Sequence, residues 1–135
     1  MTEQKRLAEM KVFIGEGNYW QATQVAQAIY AQADAASKSY RAALQMELKA
    51  LNRMQWLVDS EATAKKLSAC EKLNNDELLE LALREVLIGN STAARRCFFQ
   101  ALKKNKTDAL LLSELALTYE QQGLVEKAEE IFTAL

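Results

Sequence analysis

The side chains that most often run acid–base or metal chemistry are scarce in this chain. Histidine is absent, which removes the commonest protein metal ligand and the only side chain that titrates unperturbed near neutral pH. The two cysteines, Cys70 and Cys97, stand 27 positions apart, and neither belongs to a C-x-x-C pair. That is not the spacing of a zinc site or a dithiol redox centre, and it suits a reducing cytoplasm, with buried, inert thiols or, alternatively, a disulfide switch. Glu126, Glu129 and Glu130 would share one helix face. They would gather a cation there, although a solvated surface helix carries the same residues with no ion. There is no glycine-rich phosphate loop and no nucleophile elbow. The expectation is a protein that is not an enzyme, with no catalytic residues, no cofactor and no metal site.

Charge and apolar surplus point instead to binding. Net charge is −1, so a polyanion would have to be held by a local patch. From Arg84 to Lys106 there are six bases and one acid, and from Asp108 to Leu135 six acids and one base, Lys127. Neighbouring segments of opposite charge attract each other, or steer a partner. RNA binding through Arg95, Arg96, Lys103 and Lys104, with Phe99 free to stack and Phe98 reserved for packing, is a minor alternative. Between Leu78 and Leu87 a helix would need only one apolar stripe to pack, yet Leu79, Leu83, Val86 and Leu87 are apolar as well. A helix apolar on more than one face must be covered on more than one face.

The elements that position these residues are legible from composition. The chain has 135 residues, 50% of them hydrophobic but only 7% aromatic, with no proline and four glycines. It has many helix formers and few breakers, and it is long enough for one domain with a sizeable core. The N-terminus, Met1-Thr2-Glu3-Gln4-Lys5-Arg6, is not followed by an apolar segment of signal-peptide length. Its longest uncharged apolar run, Ala109 to Leu112, is far below the roughly 20 residues of a spanning helix. A soluble, cytoplasmic protein with no membrane partner is expected.

The helices repeat. Leu78, Leu81, Ala82, Gly89, Ala94 and Phe98 are followed 34 positions later by Leu112, Leu115, Ala116, Gly123, Ala128 and Phe132. Leu112, Leu115, Ala116 and Tyr119 fall on one helix face, glycine ends that helix, and Ala128 and Phe132 place a small residue and a ring one turn apart on the next. Around Gly17-Asn18-Tyr19 and Ala22 the same signature is fainter, preceded by Leu7, Met10, Phe13 and Ile14. Gly17 and Gly89 are 72 positions apart, four more than two periods of 34, so the intervening repeat should be longer by about one helical turn. No glycine marks the turn between residues 37 and 74. The stripe Tyr40, Leu44, Leu48 and Leu51 predicts a long helix from about Ser37 to Leu57, then a second from about Asp59 to Leu73, with the turn at Asn52 or at Asp59-Ser60.

This pattern resembles the tetratricopeptide repeat, most closely over residues 75–135. It departs from that pattern at Glu85, where an aromatic is usual, and at Lys106, where proline is usual. Thr107 and Asp108 are candidate caps for the next helix. The resemblance implies an all-α, right-handed array of antiparallel helix pairs forming one domain over residues 1–135. About three to four repeats are expected, over roughly 3–36, 37–74, 75–108 and 109–135.

In that family the first helix of each repeat also lines a concave groove. Carried over by position, the groove would be lined by Gln4, Leu7, Lys11 and Ile14, then Asp76, Leu79, Leu83 and Val86, then Leu110, Ser113, Leu117 and Glu120. Such a groove suits a peptide with apolar anchors. Alternatively its leucines pack on the preceding repeat. The sequence ends Ile131-Phe132-Thr133-Ala134-Leu135, without the polar cap that usually closes such an array. Either the sequence is part of a longer protein, or Ile131, Phe132 and Leu135 are covered by a partner or a second copy. The function expected is therefore an interaction module, a chaperone or adaptor cradling a client peptide. The alternatives are a self-assembling scaffold domain and, more remotely, an RNA-binding repeat protein.

Overall fold

The computed structural model describes residues 2–103, 108–121 and 123–134, with side chains at all of these except 132 and 134. Among them are eight α-helices and no strand: α1 Glu3–Gly15, α2 Tyr19–Gln32, α3 Lys38–Met54, α4 Leu57–Ser68, α5 Asn75–Leu87, α6 Ser91–Leu102, α7 Ala109–Gln121 and α8 Val125–Ala134. They form antiparallel pairs, and the chain divides into two compact units, Met1–Glu71 with α1 to α4 and Lys72–Leu135 with α5 to α8.

Among the described residues one turn is used four times. After α1, Gly17 N–H donates to the Ile14 carbonyl at 3.1 Å and Asn18 N–H to the Phe13 carbonyl at 2.7 Å. Equivalent pairs of bonds follow α5 at Gly89 and Asn90 and α7 at Gly123 and Leu124. They satisfy two carbonyls that the helix end would leave without partners, and the motif needs a left-handed residue. The three glycines supply it, with φ of +79°, +83° and +78°.

After α3 the same bonds are made by Gln55 and Trp56, to Asn52 and Leu51. Gln55 adopts φ 57° without the freedom of a glycine. The break thus falls at Gln55-Trp56, not at Asn52 or Asp59-Ser60. The helices are Lys38–Met54 and Leu57–Ser68 in place of the expected Ser37–Leu57 and Asp59–Leu73. Turn geometry overrode the absence of a turn residue. α3 has 17 residues where α1, α5 and α7 each have 13, so the four extra positions form one added turn of that helix.

Five of the helix starts, those of α1, α3, α5, α6 and α7, are capped by short polar side chains. Thr2, Ser37 and Asn90 accept from the backbone N–H groups of Lys5, Tyr40 and Ala93. Asn74 and Glu77 form a reciprocal capping box. Asp108 Oδ1 accepts from Leu111 N–H at 3.1 Å, and Thr107 lies outside the described residues.

Each unit has its own apolar centre. In the first, Met10, Ala26, Ile29, Ala43 and Met46 are buried, with Leu7, Ile14, Val25 and Tyr30 packed around them. In the second, Phe98 is fully buried against a cluster that includes Leu78, Ala82, Ala94, Leu111 and Leu115. Small residues at Ala82, Ala94 and Ala101, all at 0% exposure, let the helix backbones approach, and the ring fills the space between them. Two cations flank the ring of buried Tyr119, Arg95 Cζ at 5.1 Å and Lys127 Nζ at 5.6 Å from its centroid. Arg95 is therefore held against an aromatic face. Phe99 is 48% exposed, and Lys104 lies outside the described residues.

Candidate functional site

The groove positions on α5 are only partly available. Leu79, Leu83 and Val86 are half-buried and pack against the second unit's own core, while Asp76 at the start of the helix is exposed. On α7, Leu110 and Leu117 are 57% and 44% exposed, with Ser113 half-buried between them and Glu120 exposed beyond. These four recur at helical spacing and form a stripe. The buried side of α7 is carried by Leu111, Leu115, Ala116, Thr118 and Tyr119, so Leu110 and Leu117 are not needed for the core. In the first unit, Leu7 and Ile14 are half-buried on the core of α1 to α3, and Lys11 is exposed. Among the terminal residues, Ile131 packs against the second core. The side chain of Phe132 and all of Leu135 lie outside the described residues.

Neither cysteine is fully buried. Cys70 and Cys97 are free and half-buried. Burial, reinforced by the Glu85 charge, pushes the Cys97 thiol up, and Arg96 opposes that shift. A raised pKa keeps the thiol protonated and slow as a nucleophile. The Oε2 of Glu85 itself is buried with no hydrogen-bond partner among the described residues. Among the described residues no group of three or more His, Cys, Asp or Glu is gathered so as to hold a metal ion. No helix there is long and apolar enough to cross a membrane.

The first unit also holds a polar feature that the sequence pattern does not announce. Glu47, on α3, is only 5% exposed. Its carboxylate accepts three hydrogen bonds from neighbouring helices. On Oε1 it accepts from Thr63 Oγ1 at 2.8 Å and the Tyr30 hydroxyl at 3.1 Å, and on Oε2 from Gln27 Nε2 at 2.7 Å. Thr63 is itself buried. Burial, followed by the charge of Glu47, pushes the Tyr30 phenol far above its ordinary range, so Tyr30 remains a donor. With Gln55 as the counterpart of Gly89 and Gly123, Glu47 falls 34 positions before Leu81 and 68 before Leu115. A carboxylate therefore stands where both later repeats bury a leucine. The signal was present, but it required a register that no glycine marks.

No family model matches the chain, and a search of curated proteins finds no match. Among solved structures, the chain is similar to one named MamA MSR-1 C2, with a TM-score of 0.74 and 16% sequence identity. The similarity covers 98% of this chain and 74% of that one. It supports an all-α fold of the tetratricopeptide-like, helical-repeat class, and at that identity it speaks for fold alone.

Proposed function

We propose that the protein is an interaction module, an adaptor or chaperone whose second unit holds an apolar-anchored segment of a partner polypeptide against the first helices of its repeats. The observation that carries this reading is the pair Leu110 and Leu117, 57% and 44% exposed on a helix whose core side is complete without them. Two leucines seven positions apart, with half-buried Leu79, Leu83 and Val86 on α5, offer the spaced apolar contacts that a partner helix or extended segment fills.

Wild-type protein and Leu83→Glu and Leu117→Glu variants, each used as bait in the source cell, test this. A charge placed in an apolar contact of this kind is expected to weaken partner capture by roughly thirtyfold or more, with helicity by circular dichroism unchanged in Leu117→Glu, whose side chain lies outside the core. Capture of the same polypeptide at wild-type level by both variants would remove these helices as the binding face.

Self-assembly is the second reading, favoured by Leu124 and Val125, which are 40% and 51% exposed beside the start of α8. Light scattering is then expected to show a dimer or larger species that Val125→Asp dissociates by at least about tenfold in concentration. A monomer at all concentrations would overturn it.

A further inference from the structure

A cleft of about 350 Å³ opens in the first unit between α2 and α4, floored by α3. Its floor holds the Glu47 carboxylate, its walls carry Asp59 and Lys66, and both tryptophans, Trp20 and Trp56, line it. The tryptophans are 53% and 42% exposed, and they are the only two in the chain. An indole left half in water beside a buried carboxylate is an unusual use of the residue that gains most from burial.

The charges do not balance within the cleft. Glu47 has no ion-pair partner among the described residues, and its three donors, an amide, a phenol and a hydroxyl, are all neutral. Lys66 Nζ lies over the Tyr30 ring, 6.0 Å from its centroid. Two carboxylates and one ammonium leave the lining at −1. Among the described residues Oε2 of Glu47 accepts one bond, so it retains acceptor capacity. Burying a charged group where the other repeats bury leucine is unfavourable unless something compensates it, and such breaks of a local rule concentrate at functional or strained sites.

We propose that this cleft binds an arginine side chain presented by a partner polypeptide. The guanidinium reaches the free acceptor capacity of Glu47 and lies flat against the indole face of Trp56. A planar, weakly hydrated cation with a fork of donors fits both contacts, whereas a compact ammonium fits only the first. An anion is repelled by the floor, and an apolar group would leave the carboxylate uncompensated. This site lies in the Met1–Glu71 unit and is independent of the α5 and α7 faces.

Intrinsic tryptophan fluorescence reads the site directly, because it has no other source in the protein. The probes are a capped pentapeptide with a central arginine among alanines, the same peptide with citrulline, and N-acetyl-arginine amide. The arginine peptide is expected to give a saturable change, and the citrulline peptide, equal in shape but neutral, to bind at least about tenfold more weakly. Glu47→Gln is expected to lose at least about tenfold for arginine alone. Trp56→Ala, which alters an exposed residue and leaves Trp20 as reporter, is expected to lose several-fold.

Equal binding of arginine and citrulline peptides would overturn the proposal, as would wild-type arginine affinity in either variant. Should Glu47→Gln fail to fold, Trp56→Ala and the citrulline comparison decide. Equal affinity for the peptide and N-acetyl-arginine amide would overturn the assignment of the occupant to a polypeptide.

Discussion

Replacing Phe98 with alanine is expected to destabilise the protein by about 3–5 kcal/mol, the range for truncating a fully buried aromatic residue. The ring is at 0% exposure and sits among Leu78, Ala82, Leu111 and Leu115. Its removal loses transfer free energy and leaves a cavity that four helices cannot close together. For a unit the size of Lys72–Leu135, that corresponds to a fall in Tm of more than about 12 °C. The neighbouring Phe99, 48% exposed, supplies the control, with Phe99→Ala expected to stay within about 0.5 kcal/mol of wild type. Urea titration followed by circular dichroism checks both. A loss below about 1 kcal/mol at Phe98 would mean that the core of the second unit is not built around that ring.

Glu47→Ala should be the most damaging single change in the first unit, at about 3 kcal/mol, since it leaves buried hydroxyl donors without an acceptor at about 1–3 kcal/mol each. Thr63 is 6% exposed and Tyr30 half-buried, and both donate to the carboxylate. Gln27 is exposed and finds water instead. A triple variant, Glu47→Leu with Thr63→Val and Tyr30→Phe, converts the network into an apolar contact. Replacing all partners at once is nearly neutral where removing one is not, so this variant is expected within about 1 kcal/mol of wild type. Because both tryptophans lie beside the network, denaturation followed by their fluorescence reports the unit concerned. A triple variant no more stable than Glu47→Ala would show that the hydrogen bonds are not the origin of the loss. The same variant should fold without binding arginine, separating the structural contribution of Glu47 from its role in recognition.

These two positions also show what the sequence made legible. Phe98 lies four residues after Ala94, and Phe132 four after Ala128, a spacing that puts a small residue and a ring on one helix face, so the packing role of Phe98 follows from periodicity alone. Glycine at residues 17, 89 and 123 marks three helical hairpins for the same reason, since a left-handed turn favours the residue without a Cβ. Gln55 carries the fourth turn against its own preference, and nothing in its identity announces that. With that register hidden, Glu47 reads as one more charge on a helix instead of a carboxylate in a leucine position. The apolar surplus on α5 is equally visible, but how Leu79, Leu83 and Val86 divide between core and surface depends on the core side chains packed against them. Leu110 and Leu117 emerge as the exposed pair only once Leu111 and Leu115 are seen to fill the interior.

The central claim, that the first helices of the second unit hold a partner polypeptide, is tested most directly by a photo-crosslinking amino acid placed at Leu117. The same group placed at Val58, which is 87% exposed on α4, serves as the reference. Irradiation in the source cell should join position 117 to one partner polypeptide in high yield, and Leu110→Glu in the same chain, at a residue 57% exposed, should suppress that product. Equal crosslinking at positions 117 and 58, or a product at 117 unchanged by Leu110→Glu, would contradict the claim.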